Sequence, residues 1–239
     1  MPERLDAYVS RRGFGSRSEA KVLIRHGAVA IGGEYCRDPS AMVTGVVSVH
    51  GTDVVEGPDE ATMILNKPLG HACSHDEREA PLVEELVPAL YRSLPIECAG
   101  RLDRETSGLL VMTTDGQLIH RLTNPKRHVA KRYRITYRGE LTVHAIERCA
   151  AGILLEGDPR TTLPAVLTLD GSDPDGDGLA SLILHEGRYH QVRKMIAACG
   201  AEVIKLRRDR IGQLDLPADL PAGQMREMTA AEIAAMFAG

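Results

Sequence analysis

At 239 residues the chain has room for one large domain or two smaller ones. Its 43% hydrophobic and 26% charged residues are ordinary for a soluble globular protein. No segment approaches the roughly 18 uninterrupted apolar residues of a membrane helix. The start, Met1-Pro2-Glu3-Arg4-Leu5-Asp6, lacks the apolar core of a signal peptide, so a cytoplasmic protein with no membrane partner is expected.

Leu5, Tyr8 and Val9 form a short helical stripe that ends at Gly13. Ser16 and Glu19 have the spacing of a capping box, in which each side chain satisfies the other's free N–H. The helix they open carries Ala20, Leu23 and Ile24 on one side and Arg17, Lys21 and Arg25 among its other positions, with Gly27 as its stop. Val29-Ala30-Ile31, Gly32-Gly33 and Glu34-Tyr35-Cys36 read as a tight hairpin. This order of elements resembles an S4 RNA-binding domain, which implies RNA contacts from Arg17, Lys21 and Arg25. Without the resemblance, a small helical cap would fit the same pattern. Val54 to Ala61, with Gly57-Pro58, reads as a linker. The expected division is residues 1–58 and 59–239.

Met63-Ile64-Leu65-Asn66-Lys67-Pro68-Leu69-Gly70 reads as an apolar strand closed by a Pro/Gly turn. Gly100-Arg101-Leu102-Asp103-Arg104-Glu105-Thr106-Ser107-Gly108-Leu109-Leu110 then sets one acid, Asp103, ahead of the apolar run Leu109-Leu110-Val111-Met112. A core strand would exclude that charge, and a surface turn would not need glycines at both ends. The pattern fits an acid held at the mouth of a cleft by a rigid loop. In Tyr133-Arg134-Ile135-Thr136-Tyr137-Arg138 the period of two puts Tyr133, Ile135 and Tyr137 inward and the arginines outward. Ala180 to Leu184 is another strand. Val192, Met195, Ile196 and Cys199 have helical spacing up to Gly200, and Thr229 with Glu232 caps a last helix carrying Ile233, Met236 and Phe237. The fold class is α+β, a small N-terminal unit plus a large mixed or antiparallel sheet with flanking helices.

The run from Gly100 to Leu110 resembles the signature of the pseudouridine synthases that modify ribosomal RNA, and Asn66-Lys67-Pro68 resembles the opening of their catalytic domain. The resemblance implies isomerisation of a uridine in RNA, with Asp103 as the essential carboxylate. It leaves open whether Asp103 attacks the base, attacks the sugar or removes a sugar proton. By the same resemblance Arg193 is a cation paired with Asp103, offsetting the cost of a charge in a partly dry site. Tyr133 stacks on the base, although its alternation alone reads as a core position. Arg101 fills the space of the flipped nucleotide, and Leu206 lines the base pocket. The reaction is a rearrangement without net oxidation, so no cofactor and no metal is expected. Tyr189-His190-Gln191-Val192 and Arg208-Asp209-Arg210-Ile211-Gly212 lie nearest the small-subunit members, which implies uridine 516 of 16S rRNA, naked or in an assembling particle, as target. Arg at 193 is commoner in the large-subunit branch, so a 23S rRNA site is the alternative. A non-catalytic S4-type ribosome-assembly factor is the alternative of another class. A monomer is expected.

The net charge of −4 speaks against a nucleic-acid partner, but the charge is segregated. Basic runs occur near Arg11 to Arg25, at Lys126 to Arg138 (with Lys131) and from Arg188 to Arg210 (with Arg208), which suggests phosphate-binding faces. Asp173 to Gly178 starts like a calcium loop but carries Leu184 where the bidentate Glu belongs. His71, Cys73 and His75 lack a fourth ligand at useful spacing. The five scattered cysteines read as free and mostly buried thiols.

Overall fold

The computed structural model describes residues 3–54 and 58–238. The chain divides into two compact units, one of residues 1–61 with 87–96, the other of 62–86 with 97–239. The expected linker falls partly on 55–57, outside the described residues.

The first unit opens with α1 (Leu5–Arg11) and α2 (Arg17–Arg25). The capping box of α2 forms with both of its bonds, Glu19 N–H to Ser16 and Ser16 N–H to Glu19. A four-stranded sheet follows in the order β2-β1-β3-β4, from β1 (Val29–Ile31), β2 (Glu34–Tyr35), β3 (Val47–Val49) and β4 (Thr52–Asp53). Gly32 and Gly33 take φ of 59° and 89°, the left-handed pair that a two-residue hairpin turn requires. Leu5, Val9, Ala20, Ile24, Val29 and Val47 are fully buried in one aliphatic core.

The second unit is built on a nine-stranded sheet. Its strands are β5 (Thr62–Lys67), β6 (Glu97–Cys98), β7 (Thr106–Thr113), β8 (Lys131–Gly139), β9 (Val166–Ser172), β10 (Gly178–Leu184), β11 (Ala201–Ile211), β12 (Leu214–Asp215) and β13 (Met225–Glu227). The order is β13-β5-β7-β11-β8-β10-β9, with β6 on β7 and β12 on β11. Only β7 and β11 run parallel, so the sheet is mixed and mainly antiparallel. Helices α3 (Gly116–Thr123), α4 (Val143–Ala151), α5 (Gln191–Ala198) and α6 (Ala230–Ala235) accompany it. The alternation read at 133–137 holds, with Tyr133, Ile135 and Tyr137 buried and Arg134 and Arg138 exposed. The second capping box forms at α6, where Met236 is fully buried. No helix among the described residues is long and apolar enough to cross a membrane.

Two expectations need correction. All five cysteines are free, but only Cys73 and Cys149 are buried, the others being half-buried. Part of each basic run is also paired with acids from elsewhere in the chain. Arg132 and Arg134 share Asp209, at 2.8 and 2.9 Å, and Arg138 meets Asp177 and Arg210 meets Asp215. A run without acids in sequence is therefore not a run without acids in space. Lys126, Arg127, Lys205 and Arg207 are exposed and take no ion pair among the described residues.

Candidate active site

Asp103 sits in a turn that ends where β7 begins, and every backbone carbonyl of that turn is held. Thr106 N–H donates to Asp103 O at 3.0 Å, and Gly70 N–H to Arg104 O at 2.9 Å. The Lys67 ammonium donates to the carbonyls of Asp103 (3.1 Å) and Thr106 (2.8 Å) from below. Arg193 donates to Glu105 O and to Val203 O, each at 3.1 Å. Gly108 supplies the other constraint. It pairs with Arg208 across the parallel strands, has φ of 106°, and a Cβ there would run into the Arg208 carbonyl oxygen. Only glycine lets β7 and β11 meet at this point, and that contact fixes the start of β7 just after the acid.

The turn forms one wall of a cavity of about 900 Å³, within the range of small-molecule sites. Its floor is the sheet. Lys131 and Tyr133 alternate on β8, Leu206 and Arg208 on β11, and all four line the cavity. Arg208 lies opposite Tyr133 in the ladder. A third wall comes from the segment before α5, including Arg188, Tyr189 and His190.

Asp103, Arg101, Tyr133, Leu206, Lys131, Arg188 and Arg208 are thus brought together around one space. Arg193 does not line it, and its guanidinium serves the backbone rather than the Asp103 carboxylate. The ring nitrogen nearest the Asp103 carboxylate is that of His190, Nε2 to Oδ1 at 3.6 Å, and the Asp103 side chain is 32% exposed. Arg188 donates to Glu186, Asp158 and the carbonyls of Arg160 and Thr161, bonds that brace this wall of the cavity. Arg208 is 1% exposed and cannot lie on an RNA-facing surface patch. In the first unit Arg17 and Lys21 share Asp6, at 3.3 and 3.9 Å, whereas Arg25 is exposed and takes no ion pair among the described residues.

Lys67 and His190 were not singled out as site residues by the sequence reading. A lysine ending the apolar strand Met63-Ile64-Leu65-Asn66-Lys67 is a readable signal, because a buried ammonium must be spent on acceptors. Lys67 is fully buried, and burial lowers its pKa, opposed by nearby acidic groups that include Asp103. His190 gives no such signal. It precedes α5 with φ of 53° and stacks on Tyr189 at 3.8 Å, which only the fold reveals. Two thiols also face the cavity. Leu102 N–H donates to Cys73 Sγ at 3.5 Å, and the neighbouring Cys98 thiol together with this bond lowers the pKa of the Cys73 thiol against its burial.

This arrangement offers an ionisable carboxylate, a ring to lie against, an apolar patch and several fixed cations. That is the equipment for chemistry on a flat heterocycle taken out of its stack. Residues 61–198 match the RNA pseudouridylate synthase family, and residues 3–45 match the S4 domain. The chain is 36% identical over 234 residues to an uncharacterised RNA pseudouridine synthase of Bacillus subtilis, covering 96% of each chain. It is 35% identical over 237 residues to ribosomal small subunit pseudouridine synthase A of Escherichia coli (strain K12), covering 98% of this chain and 99% of the relative. A crystal structure of a pseudouridylate synthase, 34% identical and covering 98% of this chain and 99% of its own, superposes with a TM-score of 0.68. With its N-terminal S4 domain and a catalytic domain matched over more than half its length, this chain belongs to the RNA pseudouridine synthases, which are isomerases.

Proposed function

We propose that the enzyme isomerises a uridine of small-subunit ribosomal RNA, uridine 516 of 16S rRNA, with Asp103 as the catalytic carboxylate. The observation that carries this reading is the placement of Asp103. It is a partly exposed acid on a turn with no free carbonyl, facing a cavity floored by Tyr133 and Leu206. Full-length similarity to relatives named for the small ribosomal subunit supports the choice of RNA.

The nucleotide is turned out of its stack into the cavity, and Arg101, exposed at its rim, takes the vacated space. Tyr133 stacks on the base, and its hydroxyl assists the late removal of the C5 proton. Leu206 closes the apolar side. Asp103 acts on the base or the sugar while its turn stays fixed. Arg193 is a positioning residue that works through the Glu105 carbonyl. Atoms and oxidation state are conserved, so the reaction proceeds without a cofactor. The S4 unit docks the RNA, with Arg25 as its most available cation. The enzyme works as a cytoplasmic monomer.

Mapping pseudouridines in both rRNAs, from cells lacking the enzyme and from cells complemented with wild type or Asp103→Asn, tests this. One 16S position should lose pseudouridine and regain it only with wild type. Loss at a 23S position instead would move the target, and no lost position would favour the non-catalytic assembly factor.

A further inference from the structure

The cavity is lined by two cations, Arg208 and Lys131, that take no ion pair among the described residues. Arg208 donates Nε–H to Leu109 O at 2.8 Å, but its Nη2 is buried without a partner. Lys131 donates to Val129 O at 3.1 Å, and burial beside Arg208 pushes its ammonium down to about 8. Neither residue forms an ion pair among the described residues, and the group facing the Asp103 carboxylate is the His190 ring, at 3.6 Å. Two neighbouring positive groups and an unpaired buried donor are costly in a folded chain. An occupant that brings acceptors and negative charge removes that cost.

Both groups are donors only. They share the sheet face of Tyr133 and Leu206, so a ring lying on Tyr133 turns its edge towards them. The reaction supplies a fitting occupant. When C1′–N1 breaks, the electron pair stays on the base, and the uracil anion spreads its charge over O2 and O4. The base then turns, C5 bonds to C1′, C5 loses its proton and N1 gains one, so atoms and charge balance. Cytosine would instead place an amino group, another donor, where uracil has O4.

We propose that Arg208 and Lys131 form the anion-holding wall of the active site: they donate to the carbonyl edge of the detached uracil, hold its charge while it turns, and exclude cytosine. The inference rests on the assignment of the Asp103 cavity as the reaction site, and the test separates the two.

The test compares wild type, Lys131→Met, Lys131→Arg, Arg208→Lys and Asp103→Asn in single-turnover reactions. The substrates are 16S transcripts, naked and in small-subunit particles, made with uridine or with 5-fluorouridine. Chromatography of the nucleosides follows C-glycoside formation, and filter binding gives the Kd. Fluorine at C5 stabilises the departing anion, so a defect in holding that anion should shrink on the fluorinated RNA. Lys131→Met and Arg208→Lys should lose about 100-fold in rate on uridine RNA, as for loss of a donor to a developing anion. The loss should fall to about tenfold or less on fluorouridine RNA, with Kd changed less than about threefold. Lys131→Arg should recover most of the rate. Equal losses on both RNAs, no loss, or a Kd that rises with the lost rate (a phosphate contact) would overturn the proposal. Lys131 is only half-buried, so its variants decide the matter even if Arg208→Lys does not fold. Activity in Asp103→Asn would instead remove the assignment of the cavity, whatever the two cation variants do.

Discussion

The tripeptide Arg-Leu-Asp occurs twice, at Arg4-Leu5-Asp6 and at Arg101-Leu102-Asp103, and its two acids have opposite surroundings. Both leucines are buried. Asp6 falls in the first turn of α1, is fully buried, and meets Arg4, Arg17 and Lys21. The Arg4 hydrogen bond is the largest influence on it and, with Arg17, outweighs burial, holding its carboxyl at about 2. Asp103 falls in a turn before a strand, keeps about a third of its side chain exposed, and has His190 at 3.6 Å. The structural acid is saturated with cations. The acid in the cavity is not, and the cations near it, Lys67, Lys131 and Arg208, point at carbonyls or into the cavity instead of at a carboxylate. On the proposed reading, the residue that reacts is left with capacity to bind something else, and the residues around it hold its backbone.

Perturbing the supports of the two acids should separate chemistry from stability. The largest stability effect is expected from Gly108→Ala, which puts a Cβ against the Arg208 carbonyl at a left-handed φ. A loss of about 3 kcal/mol or more in urea unfolding is expected. A loss below about 1 kcal/mol would mean that β7 and β11 do not need this close approach. Asp6→Asn should cost about 1–3 kcal/mol while leaving the single-turnover rate of the folded enzyme unchanged. Because the folded Asp6 carboxyl is held below its unfolded value, its contribution is complete above about pH 4. It fades as the pH falls towards about 2. The difference in stability between wild type and Asp6→Asn should therefore narrow over that window, and a constant difference would contradict the ion-pair account.

Arg193→Met should act on rate with little effect on stability. It releases the Glu105 carbonyl, and a small displacement of the acid costs about 10–100-fold in kcat. KM should change little, and Arg193→Lys should be intermediate. A rise in KM with kcat intact would show Arg193 to be an RNA contact. The smallest effect belongs to Arg138→Gln. Its exposed pair with Asp177 is worth less than about 1 kcal/mol, and RNA affinity should stay near wild type. A large affinity loss would restore the expectation that this run faces phosphate.

The local signals in the sequence were good because they depend on near neighbours. Ser16 with Glu19 and Thr229 with Glu232 form the capping boxes that their spacing implies, and the alternation of Tyr133, Ile135 and Tyr137 is the buried face of β8. What the sequence hid depends on pairing at a distance. Arg207-Arg208-Asp209-Arg210 interrupts any apolar alternation, yet lies inside the 11-residue strand β11. There Arg208 faces inward and Asp209 pairs with Arg132 and Arg134, more than seventy residues away in sequence. The same distance conceals His190 beside Asp103 and sends Arg193 to carbonyl groups rather than to the acid. The acid itself was legible because Gly100 and Gly108 bracket it, and the structure gives the second glycine a steric reason.

The most direct measurement is tritium release from C5-labelled uridine in small-subunit rRNA by purified Asp103→Asn, with RNA affinity and thermal unfolding measured on the same sample. An underpaired acid whose turn is fixed by Lys67, Gly70 and Arg193 predicts no release, with Kd and Tm close to wild type. Release at the wild-type rate would show that the carboxylate does not perform the chemistry, and a collapse of Tm would show that Asp103, like Asp6, is there for the fold.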